Sequence, residues 1–261
     1  MKNIFHNAAW FVSDLLVMVE RNMIKYVRLP QLMVFSSIQP VMFLLLFTYV
    51  FGGAISRGGN YIDYLLPGIL AQTVMFGAMM TGVGIAEDLQ KGIIDRFKSL
   101  PMAHSAFLLG RTFTDMIRNV FVVLLMLGIG YFIGFRLHGG PGDFLTAFAI
   151  LLFFGFAFSW VSATIGMAVK NVETAQVSGF IWVFPLVFAS SIFVPTETMP
   201  EWLSAFADVN PISVVVNAVR GLMLANVGEY DLAKNVVLAF VWIAGILAVF
   251  IPLAVRLYRR S

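Results

Sequence analysis

Six stretches of this chain carry no Asp, Glu, Lys or Arg: Leu29 to Ser56, Tyr64 to Ala86, Asn119 to Phe135, Phe144 to Val169, Thr174 to Thr196 and Asn235 to Val255. They are apolar without alternation, which fits helices crossing a hydrocarbon layer and not the strands of a membrane barrel. Crossing a layer of roughly 30 Å takes about 20 helical residues. Asn119 to Phe135 falls short, so its helix is expected to begin near Phe107, with Arg111, Asp115 and Arg118 forming a charge cluster on one flank near the water interface. The pattern predicts an all-α polytopic membrane protein, residues 1–261 forming a single transmembrane domain of six helices.

Three segments outside these runs have patterns of their own. Over residues 5–29 the positions Phe5, Ala8, Val12, Leu15, Leu16, Val19, Met23 and Tyr26 repeat at helical spacing, with Asp14, Arg21, Lys25 and Arg28 on the opposite arc. That is an amphipathic helix lying in an interface, its basic arc toward lipid headgroups. Over 87–100, Leu89, Ile93, Phe97 and Leu100 make one apolar edge and Asp88, Lys91, Asp95 and Lys98 the other face. A loop that only joined two spans would need no such edge, so it is expected to meet a partner's groove or to lie on the bilayer. Over 197–225 two helices are expected to start at Pro200 and Pro211, the second capped by Asn210, with Trp202 at headgroup level and Arg220 on the polar face of the second.

Charge adds orientation. Thirteen basic residues precede the first run, lie between the second and third, between the fourth and fifth, or in the tail, whereas only Arg57, Arg136, Arg220 and Lys234 fall on the other side. The positive-inside bias therefore places both termini in the cytoplasm. Composition agrees with a membrane protein: 60% of the 261 residues are apolar, 12% are charged, and the mean hydropathy is +0.89. The net charge of +3 is no nucleic-acid footprint.

Candidate chemistry is sparse. With no cysteine, thiol catalysis and thiolate metal sites are excluded, and His6, His104 and His138 share no metal-ligand spacing. No cofactor or metal is expected in the chain, and there is no Gly-x-x-x-x-Gly-Lys-[Ser/Thr] phosphate loop to bind ATP. An intramembrane enzyme is disfavoured. An ion-coupled secondary transporter is the nearer rival, with Asp115 as its candidate proton carrier, but such carriers commonly keep charge at the midplane, and none is expected here. The small residues Gly77, Gly82, Gly84, Gly130 and Gly134 permit close helix contact, the last two as a Gly-x-x-x-Gly pair.

The loop Lys-Gly-x-x-Asp-Arg-Phe-Lys-Ser-Leu-Pro-Met from Lys91, and the segment from Pro195 through Met199-Pro200-x-Trp202-Leu203 to Asn210-Pro211-Ile212-Ser213, carry a family likeness. Together with the span pattern they resemble the membrane subunit of type-2 ABC exporters, especially daunorubicin-resistance-type permeases, nearly end to end. The resemblance implies that 87–100 is the coupling helix, with Glu87, Leu89, Ile93, Arg96, Phe97 and Leu100 meeting a separate ABC ATPase subunit that holds ATP and Mg. It also implies a second permease copy, identical or different, a place in the plasma membrane of a prokaryote, and extracellular or re-entrant helices over 197–225. The cargo expected is a lipophilic drug, natural product or lipid, with a lipid-linked polysaccharide as the alternative.

Overall fold

Uncharged runs become helices because an apolar medium offers backbone N–H and C=O groups no partners but each other. In a computed structural model of the chain, residues 2–28, 30–55, 61–98, 104–169, 171–225 and 231–260 are described, and among them every regular element is helical. Four helices are long and apolar enough to cross a membrane: α4 (Tyr61–Gln90), α6 (His104–Ile133), α7 (Pro141–Val169) and α11 (Leu232–Arg260). Two of the expected spans give shorter helices. α2 (Pro30–Leu46) continues through a π-helical turn at Phe47–Phe51 into the four-residue α3 (Gly52–Ile55), and α8 (Val172–Phe188) has 17 residues, roughly 25 Å. Asn171 caps α8 by accepting from the Glu173 and Thr174 amides. The chain leaves the helix just past Pro185, where Ala189 donates back to its carbonyl.

The remaining helices are α1 (Lys2–Arg28), α5 (Ile93–Lys98), α9 (Glu201–Val209) and α10 (Pro211–Met223), the last two meeting at 72°. α1, α5 and the C-terminal turn of α11 lie at one end of the bundle; α9 and α10 lie at the other. α6 starts at His104, earlier than the sequence suggested, and stops where Gly134 takes φ +125°. The expected Gly130-Gly134 packing pair is therefore split. Gly130 lies against Leu66 of α4, and Gly134 ends the helix.

α4 is the centre. In its most apolar window 78% of residues are buried, against 11% for α11, so α4 contacts helices all round while α11 shows most of its surface outward. Its neighbours are α2, α6, α7, α8 and α10. The tightest approach is to α7, where a Cβ on Gly82 would strike the Ser162 carbonyl and one on Gly166 would strike the Gly82 carbonyl. Small residues hold helices together here through backbone contact, since lipid and Leu are equally apolar and burial alone gives no drive. A large core runs from Leu44 through Leu66, Ile69, Phe154 and Val215, and a second, smaller one at the α1 end joins Met18, Ile94, Phe107, Trp160 and Tyr258.

Gly82→Ala is expected to lower stability by about 1–3 kcal/mol through overpacking, whereas Gly128→Ala, inside α6 and with a new methyl that would meet nothing, should not lower it. Thermal unfolding of the two purified variants in detergent checks this.

Candidate functional site

Arg111, Asp115 and Arg118 stand at i, i+4 and i+7, so α6 presents them on one face. That face meets α4 at Gly77 and Gly84, themselves seven residues apart. A Cβ on Gly77 would collide with the Arg118 guanidinium and the Asn119 side chain, and one on Gly84 would stand inside the Arg111 guanidinium. The two glycines are the space into which the two arginines fold.

Asp115 is 2% exposed and joins three helices. Its Oδ2 accepts from the Thr81 hydroxyl of α4 at 2.6 Å and its Oδ1 from the Tyr26 hydroxyl of α1 at 3.2 Å. Arg118 lies 3.7 Å away and Arg111 4.0 Å away. Arg111 also donates to Asp88 at 3.3 Å, and Asp88 lies 3.7 Å from Arg21 of α1. The result is a ladder, Arg21, Asp88, Arg111, Asp115 and Arg118, alternating in sign and running from the end of α4 into the bundle. Burial pushes the Tyr26 phenol above its ordinary value and the Asp115 carboxylate pushes it further, so Tyr26 stays a donor.

The structure thus brings the three expected charges together, but buries them more deeply than an interface position implies. It adds Arg21, Asp88, Tyr26 and Thr81, which sequence reasoning did not select. Arg21 was expected to face lipid headgroups; it turns inward, since Asp88 offers a carboxylate and Phe97 a ring face 4.9 Å from its guanidinium carbon. Val12, Leu16, Val17, Ile24 and Val27 are among the exposed residues of α1.

Beside the ladder lies a groove of about 420 Å³ between α1, α2, α4, α6 and α8. One stripe of α4, Gln72, Phe76, Met80, Val83 and Glu87, forms its length, and Asn22, Gln39, Arg118, Asn119 and Phe180 face it from the other helices. Among the described residues no group of three or more His, Cys, Asp or Glu gathers as a metal site.

The segment 87–100 is not one helix. Glu87 and Leu89 belong to the last turn of α4. Lys91 and Gly92 then donate back to the Glu87 and Leu89 carbonyls, with Gly92 at φ +64°, the left-handed C-terminal cap that only glycine adopts without strain. The new helix, α5, starts at Ile93. Glu87 also pairs with Lys91 through its side chain. Leu89 and Phe97 lie against the chain's own small core, with Phe97 5.7 Å from the Phe107 ring, and Ile93 is half-buried. Arg96 and Asp95 face outward. Leu100 lies outside the described residues.

At the other end Pro200 is the N-cap position of α9 and Pro211 the first residue of α10. Asn210 is 2% exposed and does two jobs: its Oδ1 accepts from the Ile212 amide at 2.9 Å, and its Nδ2 donates to the Leu186 and Ala189 carbonyls at 2.8 and 2.9 Å. It ties the end of α8 to the start of α10. Arg220, equally buried, donates to the Tyr64 and Ser191 carbonyls and to Asn217, with its guanidinium 3.7 Å from the centre of the Tyr64 ring. Trp202 is 74% exposed.

A family of integral membrane transport proteins fits these features, and comparison with known proteins identifies it. The chain matches the ABC-2 type transporter family over residues 13–224 and belongs to that family. It is 36% identical over 251 residues to a daunorubicin resistance ABC transporter permease protein of Streptomyces coeruleorubidus, covering 96% of this chain and 87% of the relative. It is 24% identical over 258 residues to a probable doxorubicin resistance ABC transporter permease protein of Mycobacterium tuberculosis, covering 97% and 91%. A putative transport permease of Cyanophora paradoxa is 26% identical over 220 residues, covering 82% and 75%.

The double role of Asn210 gives a test that capping alone would not. Asp is as good an N-cap as Asn, yet at 210 it would turn a carboxylate toward two carbonyls. Asn210→Ala is expected to cost about 1–3 kcal/mol, and Asn210→Asp more than that. Unfolding of both variants against the parent reads the order.

Proposed function

We propose that the chain is the permease subunit of an ATP-driven ABC exporter that moves a lipophilic drug, natural product or lipid out of the cytoplasm or the inner leaflet. The observation that carries this reading is the family match, which runs from α1 through α10, together with relatives named as drug-resistance permeases. Six crossings follow if α2 and α8 span with their flanking turns, in addition to the four longer helices. The α1 end then faces the cytoplasm, as the basic residues require, and residues 1–261 work as one transmembrane domain with α1 in the inner interface and α9 and α10 outside.

ATP and Mg belong to a separate ATPase subunit on this reading, and a second permease copy completes the pore. The ATPase meets the loop at Gly92 and α5. Its push is passed on through Ile94 and Phe97, which lie in the same core as Met18 of α1, Phe107 of α6 and Tyr258 of α11, so that a shift of α5 moves three other helices together. The outward residues Asp95 and Arg96 contact the partner; Phe97 transmits. The rival ion-coupled carrier would use Asp115 as its proton carrier, whereas its bonds to Thr81 and Tyr26 are those of a structural tie between helices.

The absence of cysteine makes the orientation simple to measure. Ala205→Cys, on the exposed side of α9, should react with an impermeant thiol reagent on intact cells, and Arg256→Cys only after permeabilisation. Reaction of Arg256→Cys in sealed cells would reverse the orientation. For the partner, Arg96→Glu should lower copurification of the cognate ATPase by about tenfold while the permease inserts and unfolds normally. Export from vesicles should need ATP and persist when an ionophore collapses the proton gradient; export that follows the gradient and ignores ATP would establish the rival reading.

A further inference from the structure

The groove is sized for a ligand. Its 420 Å³ falls in the range that holds drug-sized molecules, and its α4 stripe from Glu87 to Gln72 is roughly 22 Å long, reaching from the α1 end to about the middle of the helix. Its inner walls differ in chemistry. Phe76, Met79, Met80 and Phe180 supply aromatic and flexible thioether surface, which accommodates varied apolar shapes. Arg118 and Asn119 face the groove from α6, and Gln72 and Thr73 add polar groups at the inner end of the α4 stripe.

Charge accounting points to the sign of the ligand. The ladder contains three guanidiniums and two carboxylates, one positive charge in surplus, and its inner rungs Arg111, Asp115 and Arg118 lie where an unmatched charge is expensive; Glu87, which also lines the groove, is paired with Lys91. Asp115 is fully engaged: Thr81 and Tyr26 each take one of its oxygens, and two arginines flank it. Arg118, the deepest rung, shares that single carboxylate at 3.7 Å, well beyond the 2.7–2.9 Å of a charge-assisted bond, and donates to two neutral groups, the Asn119 side-chain oxygen and the Tyr26 hydroxyl. A guanidinium has five N–H donors, and these partners do not use them all. Across the groove, Gln72 is 3% exposed and its Oε1 meets no hydrogen-bond partner. Its amide can turn to offer its NH₂ to an acceptor in the groove.

We propose that this groove is a binding site for an anionic amphiphile, with a carboxylate, sulfonate or phosphate group seated against Arg118 and Gln72 and the apolar body along Phe76, Met79, Met80 and Phe180. The site rests on the export reading for its direction, since its α4 stripe runs from the end taken as cytoplasmic to about mid-helix. Binding itself needs no ATPase. A permease that copurifies with its ATPase yet fails the test below loses only this assignment, and one that binds the amphiphile without any ATPase association loses only the export reading.

The probe is dansylaminoundecanoic acid, titrated by its fluorescence into purified permease in an uncharged detergent, beside its methyl ester. The acid is expected to bind about tenfold more tightly than the ester. Arg118→Gln should abolish that preference, Arg118→Lys should keep part of it, and dodecyl phosphate should displace the acid where inorganic phosphate does not. Since Arg118→Gln removes a buried charge and could unfold the chain, Met80→Trp serves as a second variant. Met80 is 40% exposed, and a larger ring there fills the groove without touching the ladder, so acid and ester should both weaken. Equal binding of acid and ester, unchanged binding in Met80→Trp, or displacement by inorganic phosphate alone would each overturn the proposal.

Discussion

One carboxylate shared by two arginines inside a helical bundle constrains most of what surrounds it. Leaving Arg118 without Asp115 would strand a charge among apolar side chains, at a cost of several kcal/mol, and would leave Arg111 to Asp88 alone. The sequence around the cluster answers to that constraint. Gly77 and Gly84 on α4 leave room for Arg118 and Arg111, Thr81 between them donates to the carboxylate, and α1 brings in Tyr26 from its apolar stripe and Arg21 from its polar arc. The pairs run in reverse order because the helices are antiparallel, and the spacing matches: two turns, about 10 Å, separate the glycines and separate the arginines.

The opposite end is built on different principles. There the donors are amide, guanidinium and phenol groups and the acceptors are mostly backbone carbonyls left open where α8 stops. Asn210 and Arg220 close the Leu186, Ala189 and Ser191 carbonyls, and the Tyr61 and Tyr64 hydroxyls donate to Phe193 and Ser191. A helix that ends inside a bundle exposes such groups to a medium that cannot bond them, so the polar residues of the last loop serve the fold first. Between the two tied ends, α4 and α7 touch backbone to backbone at Gly82 and Gly166. Under the proposed reading, a push delivered at α5 reaches a bundle that moves in blocks, since each end is cross-linked by polar contacts that span three or more helices.

Much of this was legible in the uncharged runs and their breaks. Four of the six expected spans are long helices, and the cap at Asn210 sits where residue type demands it, whereas the break at Gly92 was not legible, since the apolar edge over 87–100 reads as one helix. The three-residue charge cluster was legible as well, because its spacing puts it on one helix face. Its depth and its partners were not. Arg21 and Asp88 lie 67 positions apart in the chain and Tyr26 and Asp115 lie 89 apart, and nothing local marks them as neighbours. One signal was present: glycines seven apart on one span facing arginines seven apart on the next. The inward turn of Phe97 was hidden for a related reason, since an amphipathic hexamer shows an apolar edge without showing whether that edge faces a partner or the chain's own core.

The central claim is that Asp115 and Arg118 act as one buried unit. A double-mutant cycle measures it directly, using the unfolding free energies of the parent chain, Asp115→Asn, Arg118→Gln and the double variant in one detergent. The account predicts that Asp115→Asn alone costs about 3–5 kcal/mol, and that the double variant is less destabilised than the two singles summed by at least about 1 kcal/mol, because removing the carboxylate matters most while the guanidinium is there to be stranded. Additive losses would show that the two side chains are neighbours without being partners, and would contradict the account.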